Sequence, residues 1–195
     1  TLEAKRIGAV NCLFRSSDGI LHGTNTDGEA SIKTFIGKFG PIEDKSVVVL
    51  GAGGAGKAVA SYFSLASKNI IIVSRSKNDK QYADKINVTW KSWNMIDECI
   101  TNADIVVNCT SVGFGGQEFK SPLNERQIAQ IKNSAIVYDI IYQPLKTKLL
   151  EMVNNRGVST LNGLAMNLEQ AVLAYTYCSK VNSLNRIRKI MEQVN

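Results

Sequence analysis

From residue 46 onward, short apolar runs alternate with longer stretches whose apolar positions recur at helical spacing. The runs at 46–50, 69–73, 104–108 and 135–139 are rich in Val and Ile, and a weaker one covers 157–160. Such runs, apolar on both faces and bounded by turn residues, read as strands of a buried parallel sheet. Helical patterns fill the gaps at 55–66, 78–85, 93–101, 123–131 and 146–155. The alternation predicts an α/β fold: a doubly wound parallel sheet with helices on both faces.

Two flanking pieces stand outside this alternation. Residues 6–24 read as short strands around a turn at Ser17-Asp-Gly19, with Lys5 and Arg6 in a helix leading into them. Asn25-Thr-Asp27-Gly28 then opens a helix at about 27–39. Phe39-Gly-Pro41 ends it, because Gly and Pro both disfavour its continuation, and marks a domain boundary. At the far end, Asn162-Gly163 precedes a long apolar helix at about 164–179, and a basic amphipathic helix at 183–194 closes the chain. The chain thus divides into 1–40, 41–162 and 163–195.

The first apolar run feeds directly into glycines, in Ser46-Val-Val-Val-Leu50-Gly51-Ala52-Gly53-Gly54-Ala55-Gly56-Lys57. Strand, Gly-x-Gly-x-x-Gly and helix in that order form the context a dinucleotide fingerprint requires, and make the sheet Rossmann-like. Gly51 permits the tight turn, Gly53 lets backbone approach a pyrophosphate, and Gly56 lets helix pack on strand. The pyrophosphate then meets the N–H groups and positive dipole end of the helix. A purely structural glycine turn is the competing reading; the agreement of strand, spacing and helix favours the nucleotide.

The next strand, 69–73, runs into Ser74-Arg75-Ser76-Lys77. The NAD form of the fingerprint places a carboxylate there to accept from the ribose 2′-OH. Here a guanidinium stands instead, and its fork suits a 2′-phosphate that a carboxylate would repel. NADP(H) is therefore favoured over NAD(H). The alternative is that Arg75 and Lys77 are only solvated loop charges. Asp79 lies too far into the following segment to serve as the ribose acceptor.

Composition narrows the remaining choices. A chain of 195 residues, 44% hydrophobic and 21% charged, reads as a folded soluble protein with a sizeable core. Its apolar runs are far too short to span a bilayer, and Thr1-Leu-Glu-Ala-Lys-Arg6 has no apolar stretch of signal-peptide type. The net charge is +6, but the lysines are scattered among acids without an aromatic-interleaved patch, which argues against nucleic acid. Cys12, Cys99, Cys109 and Cys178 lie far apart, so thiols in a reducing, cytoplasmic setting fit better than a disulfide frame or metal cage. The single histidine, His22, reads as a satisfied strand or loop residue. A histidine-dependent triad or zinc site is therefore a poor fit.

Further stretches resemble one family. Ile7-Gly-Ala-Val-Asn11 and Gly23-Thr-Asn-Thr-Asp27-Gly28 are similar to the substrate-side motifs of shikimate dehydrogenases. Asn108-Cys-Thr110-Ser111-Val-Gly113 resembles the family's Asn-x-Thr-Ser-x-Gly loop, and Asp139-Ile140-Ile-Tyr142-Gln-Pro144-Leu-Lys-Thr147 its Asp-x-x-Tyr-x-Pro-x-x-Thr segment. Gly163-Leu-Ala-Met166-Asn-Leu-Glu-Gln170-Ala171 is similar to its Gly-Leu-x-Met-x-x-x-Gln-Ala helix. The matches follow family order over nearly the whole chain.

The resemblance implies NADPH-dependent, reversible reduction of 3-dehydroshikimate to shikimate, by a monomer or homodimer with no nucleic-acid or membrane partner; a quinate/shikimate dehydrogenase that accepts NAD is the alternative, against which Arg75 speaks. Asn11, Tyr142 and Gln170 are implied ligands of the substrate's hydroxyls. Asp27 would bind a hydroxyl and share in the proton transfer that accompanies reduction. Thr110, Ser111, Ile140, Gly163 and Met166 are implied neighbours of the cofactor. Each has a plainer reading, and Asp27 in particular would serve as a helix N-cap. By the same resemblance, 1–40 is a remnant of a substrate domain, 41–162 the NADP-binding domain, and 163–195 helices returning to the substrate domain.

One departure stands out. The family's Ser-x-Ser pair and Asn-Val-Thr…Lys motif, whose lysine partners the aspartate, have no match among the ten residues before Asn11. The sequence then reads as part of a longer enzyme, the end of a multifunctional polypeptide such as one with a dehydroquinate dehydratase, or a shortened NADP-binding paralogue. Alone, it is expected to bind NADP(H) and turn over poorly.

Overall fold

The computed structural model describes residues 1–179 and 183–193. A six-stranded parallel sheet runs in the order β5-β4-β3-β6-β7-β8. Its strands are β3 (Val47–Leu50), β4 (Ile70–Ser74), β5 (Thr89–Ser92), β6 (Ile105–Asn108), β7 (Ile136–Asp139) and β8 (Ser159–Leu161). The chain starts in the middle and winds outward in both directions, as the alternating pattern predicts. The order reverses beside β3, which leaves a crevice at the carboxyl ends of β3 and β6.

Strand alternation separates two cores. Val47 and Val49 face a cluster containing Val59, Ala60 and Phe63 of α3 (Gly54–Ala66) and Tyr82 of α4 (Asp79–Lys85). Val48 and Leu50 face the opposite cluster, with Ile100 of α5 (Ile96–Asn102), Ile128 of α6 (Glu125–Gln130) and Leu149 of α7 (Lys148–Asn154). Both faces of β3 and β6 are covered, which accounts for the apolar runs Val47–Leu50 and Ile105–Val107.

The flanking segments join the first of these cores. A helix α1 (Leu2–Ile7) precedes the antiparallel hairpin β1 (Cys12–Arg15) and β2 (Leu21–Thr24), so the opening of the 6–24 span completes a helix before the strands begin. Helix α2 (Asp27–Phe39) contributes Phe35 and helix α8 (Leu164–Cys178) contributes Met166 and Leu173 to the cluster around Val47 and Val49. Arg188 of α9 (Leu184–Glu192) pairs with Glu169 of α8 at 2.6 Å. The last position of the anticipated 183–194 helix lies outside the described residues.

Two local features differ from the sequence expectations. Thr89-Trp90-Lys91-Ser92 forms the edge strand β5, paired to β4 from Ile71–Thr89 to Ser74–Ser92. An edge strand is solvated on one side and needs no apolar run, so no signal marked it. The helix anticipated from residue 93 begins with a short 3-10 turn at Trp93–Met95 before α5. No helix among the described residues is long and apolar enough to cross a membrane.

Candidate functional site

Two clefts open at the carboxyl ends of the strands, and they meet at Ala55. The larger, about 790 Å³, is lined by the turn Gly51–Ala55, by Ser74, Arg75, Ser76 and Asp79, and by Cys109, Thr110 and Ser111. Its glycine turn has three distinct requirements. Gly51 sits at φ 95°, a conformation that side chains rarely adopt. A Cβ at Gly56 would lie 2.2 Å from the Gly51 carbonyl oxygen, so α3 packs directly onto the turn. A Cβ at Gly53 would meet nothing within 4 Å and would project into open space instead. Gly53 precedes α3 without a side-chain cap, leaving the helix N-terminus to backbone donors alone.

The loop after β4 supplies the cation. Arg75 is exposed at the cleft and has no ion-pair partner among the described residues, whereas Ser74 beneath it is 4% exposed. Lys77 does not line the cleft, although the sequence grouped it with Arg75. Asp79, read as too distant, does line it, as do Trp93, Val112, Ser121 and Pro122. These residues come from distant segments of the chain, and no local sequence signal joins them to the glycine turn.

The second cleft, about 280 Å³, is lined by Asn11, Asp27, Ala55, Ile140, Tyr142, Met166, Asn167 and Gln170. Four residues singled out as substrate ligands thus converge from the loop before β1, from α2, the loop after β7 and α8. Asn167 was missed, yet it lies three positions before Gln170 and therefore on the same helix face. Ile140 and Met166 belong here rather than in the larger cleft. Gly163 lines neither cleft; its missing side chain lets backbone pass, since a Cβ would lie 1.9 Å from the Ile140 carbonyl oxygen.

Asp27 is not the cap of α2. The Asn25 Oδ1 accepts from the backbone N–H groups of Asp27 at 3.1 Å and Gly28 at 3.4 Å, which fills that role. The Asp27 carboxylate is thereby left for Asn11, whose Nδ2 donates to it at 2.8 Å. The Asn11 Oδ1 in turn accepts from the Thr26 backbone at 3.0 Å, which fixes the amide's orientation. Thr26 Oγ1 reaches Gln170 Oε1 at 3.4 Å, tying α2 to α8 across the cleft. Burial pushes the Asp27 carboxyl above its ordinary range, and the Asn11 bond only partly opposes this.

A buried polar cluster supports both clefts from below. Asn108 and Asp139 end the adjacent strands β6 and β7, in register with one another. Asn108 Nδ2 donates to Asp139 Oδ1 at 3.0 Å, and Thr147 Oγ1 donates to Oδ2 at 2.7 Å. The Asn108 Oδ1 accepts from Thr110 Oγ1 at 2.7 Å. One carboxylate therefore anchors the 108–113 loop to the 139–147 loop. Desolvation raises the Asp139 pKa to about 6 despite these donors.

His22 stacks on Phe14 with ring centroids 5.2 Å apart and lies 3.0 Å from Ser16 Oγ. Among the described residues, no group of three or more His, Cys, Asp or Glu is placed to hold a metal ion.

The family model described as shikimate / quinate 5-dehydrogenase matches residues 36–140, over half of the chain. The chain belongs to that family. A curated relative, the shikimate dehydrogenase (NADP(+)) of Alkaliphilus metalliredigens, is 35% identical over 184 residues, covering 89% of this chain and 63% of the relative. The chain spans 62–65% of the length of the first curated relatives it matches. Two solved structures agree in fold. Quinate dehydrogenase from Corynebacterium glutamicum in complex with NAD gives a TM-score of 0.85 at 27% identity, covering 99% of this chain and 71% of that one. Shikimate 5-dehydrogenase from Thermus thermophilus, in complex with NADP(H) and shikimate, gives 0.80 at 25% identity, covering 100% and 72%.

Proposed function

We propose that this chain carries the NADP(H) site and part of the substrate site of a shikimate dehydrogenase, which reduces 3-dehydroshikimate to shikimate reversibly. The observation that carries the reading is the junction at Ala55. There, a cleft with a phosphate-type glycine turn opens beside a cleft holding a carboxylate, three amides and a phenol. A nucleotide on the turn would reach toward the groups able to hold a polyhydroxylated ring.

The residues present suit the cofactor. Gly53 leaves backbone open where a diphosphate must approach, α3 turns its N-terminus toward it, and Arg75 stands ready for a 2′-phosphate. When bound, the nicotinamide supplies a hydride. Asn11, Gln170 and Tyr142 offer donors and acceptors to ring hydroxyls. Asp27, held by Asn11 and raised in pKa by burial, binds a hydroxyl and holds a proton at its carboxylate oxygen. In this reading 1–40 and 163–195 belong to a substrate domain and 41–162 to the NADP-binding domain.

Quinate oxidation with NAD is the second reading, prompted by the quinate dehydrogenase likeness. Arg75 at the ribose end of the cleft favours the phosphorylated cofactor instead. Oxidation assays on the intact protein, pairing shikimate or quinate with NADP⁺ or NAD⁺, test the choice. Turnover is expected with shikimate and NADP⁺, and inactivity with that pair would refute the proposal.

A further inference from the structure

We propose that Trp90 sets the preference of this chain for a phosphorylated ribose, by fixing what Ser74 offers to the ligand. The inference rests on reading the larger cleft as an NADP(H) site. Ser74 ends β4 and lines that cleft while remaining only 4% exposed. Trp90 lies on β5, where the register pairs it with Ile72 and pairs Ser92 with Ser74. Residues two apart along a strand share a face, so the indole reaches diagonally along β4. Its Nε1–H donates to Ser74 Oγ at 2.9 Å.

The consequence for Ser74 is chemical. An indole N–H only donates, so Trp90 occupies an acceptor position of the hydroxyl and leaves its O–H to be given away. Among the described residues that proton has only the Ser76 carbonyl, at 3.5 Å, the outer limit of a hydrogen bond. A phosphate oxygen is a strong acceptor and would take the proton readily. A ribose 2′-OH would accept that proton only as a neutral oxygen, in a weaker bond than a charged phosphate oxygen makes. Arg75, the next residue, lines the same cleft and brings a cation to it. Asp79, on the same wall, repels a phosphate and leaves the preference to these donors.

Trp90 itself does not line the cleft; its ring packs against the core cluster on the α3 side of the sheet. It is therefore a positioning residue, and Trp90→Phe separates its two roles by keeping the aromatic packing while removing the N–H. Calorimetric titration of the intact protein with NADP⁺, NAD⁺, 2′,5′-ADP and 5′-AMP provides the test. The variant is expected to lose about tenfold in affinity for NADP⁺ and 2′,5′-ADP, while NAD⁺ and 5′-AMP stay within about twofold. Ser74→Ala should lose a similar amount, and the double variant no more than either single one. Equal weakening toward all four ligands, or no weakening, overturns the assignment. Wild-type protein that binds none of the four would instead overturn the nucleotide reading beneath it.

Discussion

Asn11 holds the Asp27 carboxylate at 2.8 Å, bridging the end of one short loop and the first turn of α2. The cap of that helix comes from Asn25, so the Asp27 side chain faces the cleft rather than its own backbone. Keeping an ionised carboxylate in that half-buried position opposes folding. Such a placement fits a chemical role better than a structural one.

Asp27→Asn should therefore stabilise the fold while removing activity. The folded-state pKa is raised, so the favourable contribution of this group is complete below its unfolded pKa and is lost as pH rises through the folded value. At pH ~7 the ionised side chain is destabilising and its amide replacement is not, while Asn11 retains an oxygen to donate to. Melting curves should show a higher Tm for the variant at neutral pH and a smaller gap in acid. Shikimate turnover in the intact protein should fall by about 100-fold or more. Near-native turnover would remove Asp27 from the proposed chemistry.

Much of this was legible in the sequence, for identifiable reasons. The central strands are buried on both faces, so Val47–Leu50 and Ile105–Val107 had to be apolar. The glycine turn is local, and its chemistry is written in consecutive residues. Trp90 was missed because an edge strand carries no such pattern. Asp27 was ambiguous because Asn25 and Asp27 are both residue types that cap helices; only the fold shows which one does. Asp79 at the start of α4, Trp93 in the 3-10 turn and Pro122 in a loop reach the cleft from separate segments, a convergence that spacing along the chain cannot reveal.

Arg75→Gln tests the cation at the ribose end. Arg75 is exposed and has no ion-pair partner among the described residues, so its loss should leave Tm nearly unchanged. A hydrogen bond to a charged group contributes roughly 1.5–3 kcal/mol, so NADPH affinity should fall by about ten- to hundredfold. NADH affinity should not change. Parallel calorimetric titrations decide the matter, and equal losses for both cofactors would refute the role.

Two glycines of one turn should fail in different ways. A Cβ at residue 56 would lie 2.2 Å from the Gly51 carbonyl oxygen, and backbone must move to admit it. Gly56→Ala is expected to cost about 1–3 kcal/mol in urea unfolding. Gly53 has φ −70° and open space around its missing Cβ, so Gly53→Ala should leave stability essentially intact. Its methyl group nevertheless enters the space a diphosphate needs, and NADPH affinity should drop. An unfolded Gly53→Ala protein, or one with native affinity, would contradict this account of the turn.

The buried carboxylate under the clefts predicts a pH dependence of stability. Asp139 is fully buried, and desolvation raises its pKa from 3.8 to about 6. The shift favours the protonated form in the folded state, so the contribution is present below about pH 4 and is lost as pH rises through about 6. At about 1.4 kcal/mol per unit, the loss approaches about 3 kcal/mol by neutral pH. In Asp139→Asn the Oδ1 still accepts from Asn108 and the Ile141 backbone, and the new amide donates to Thr147 Oγ1 in place of accepting from it. Urea midpoints at pH ~4.5 and ~7.5 should then fall less for the variant than for the wild type. A variant whose midpoint falls as steeply as the wild type would show that the acid-side stability resides elsewhere.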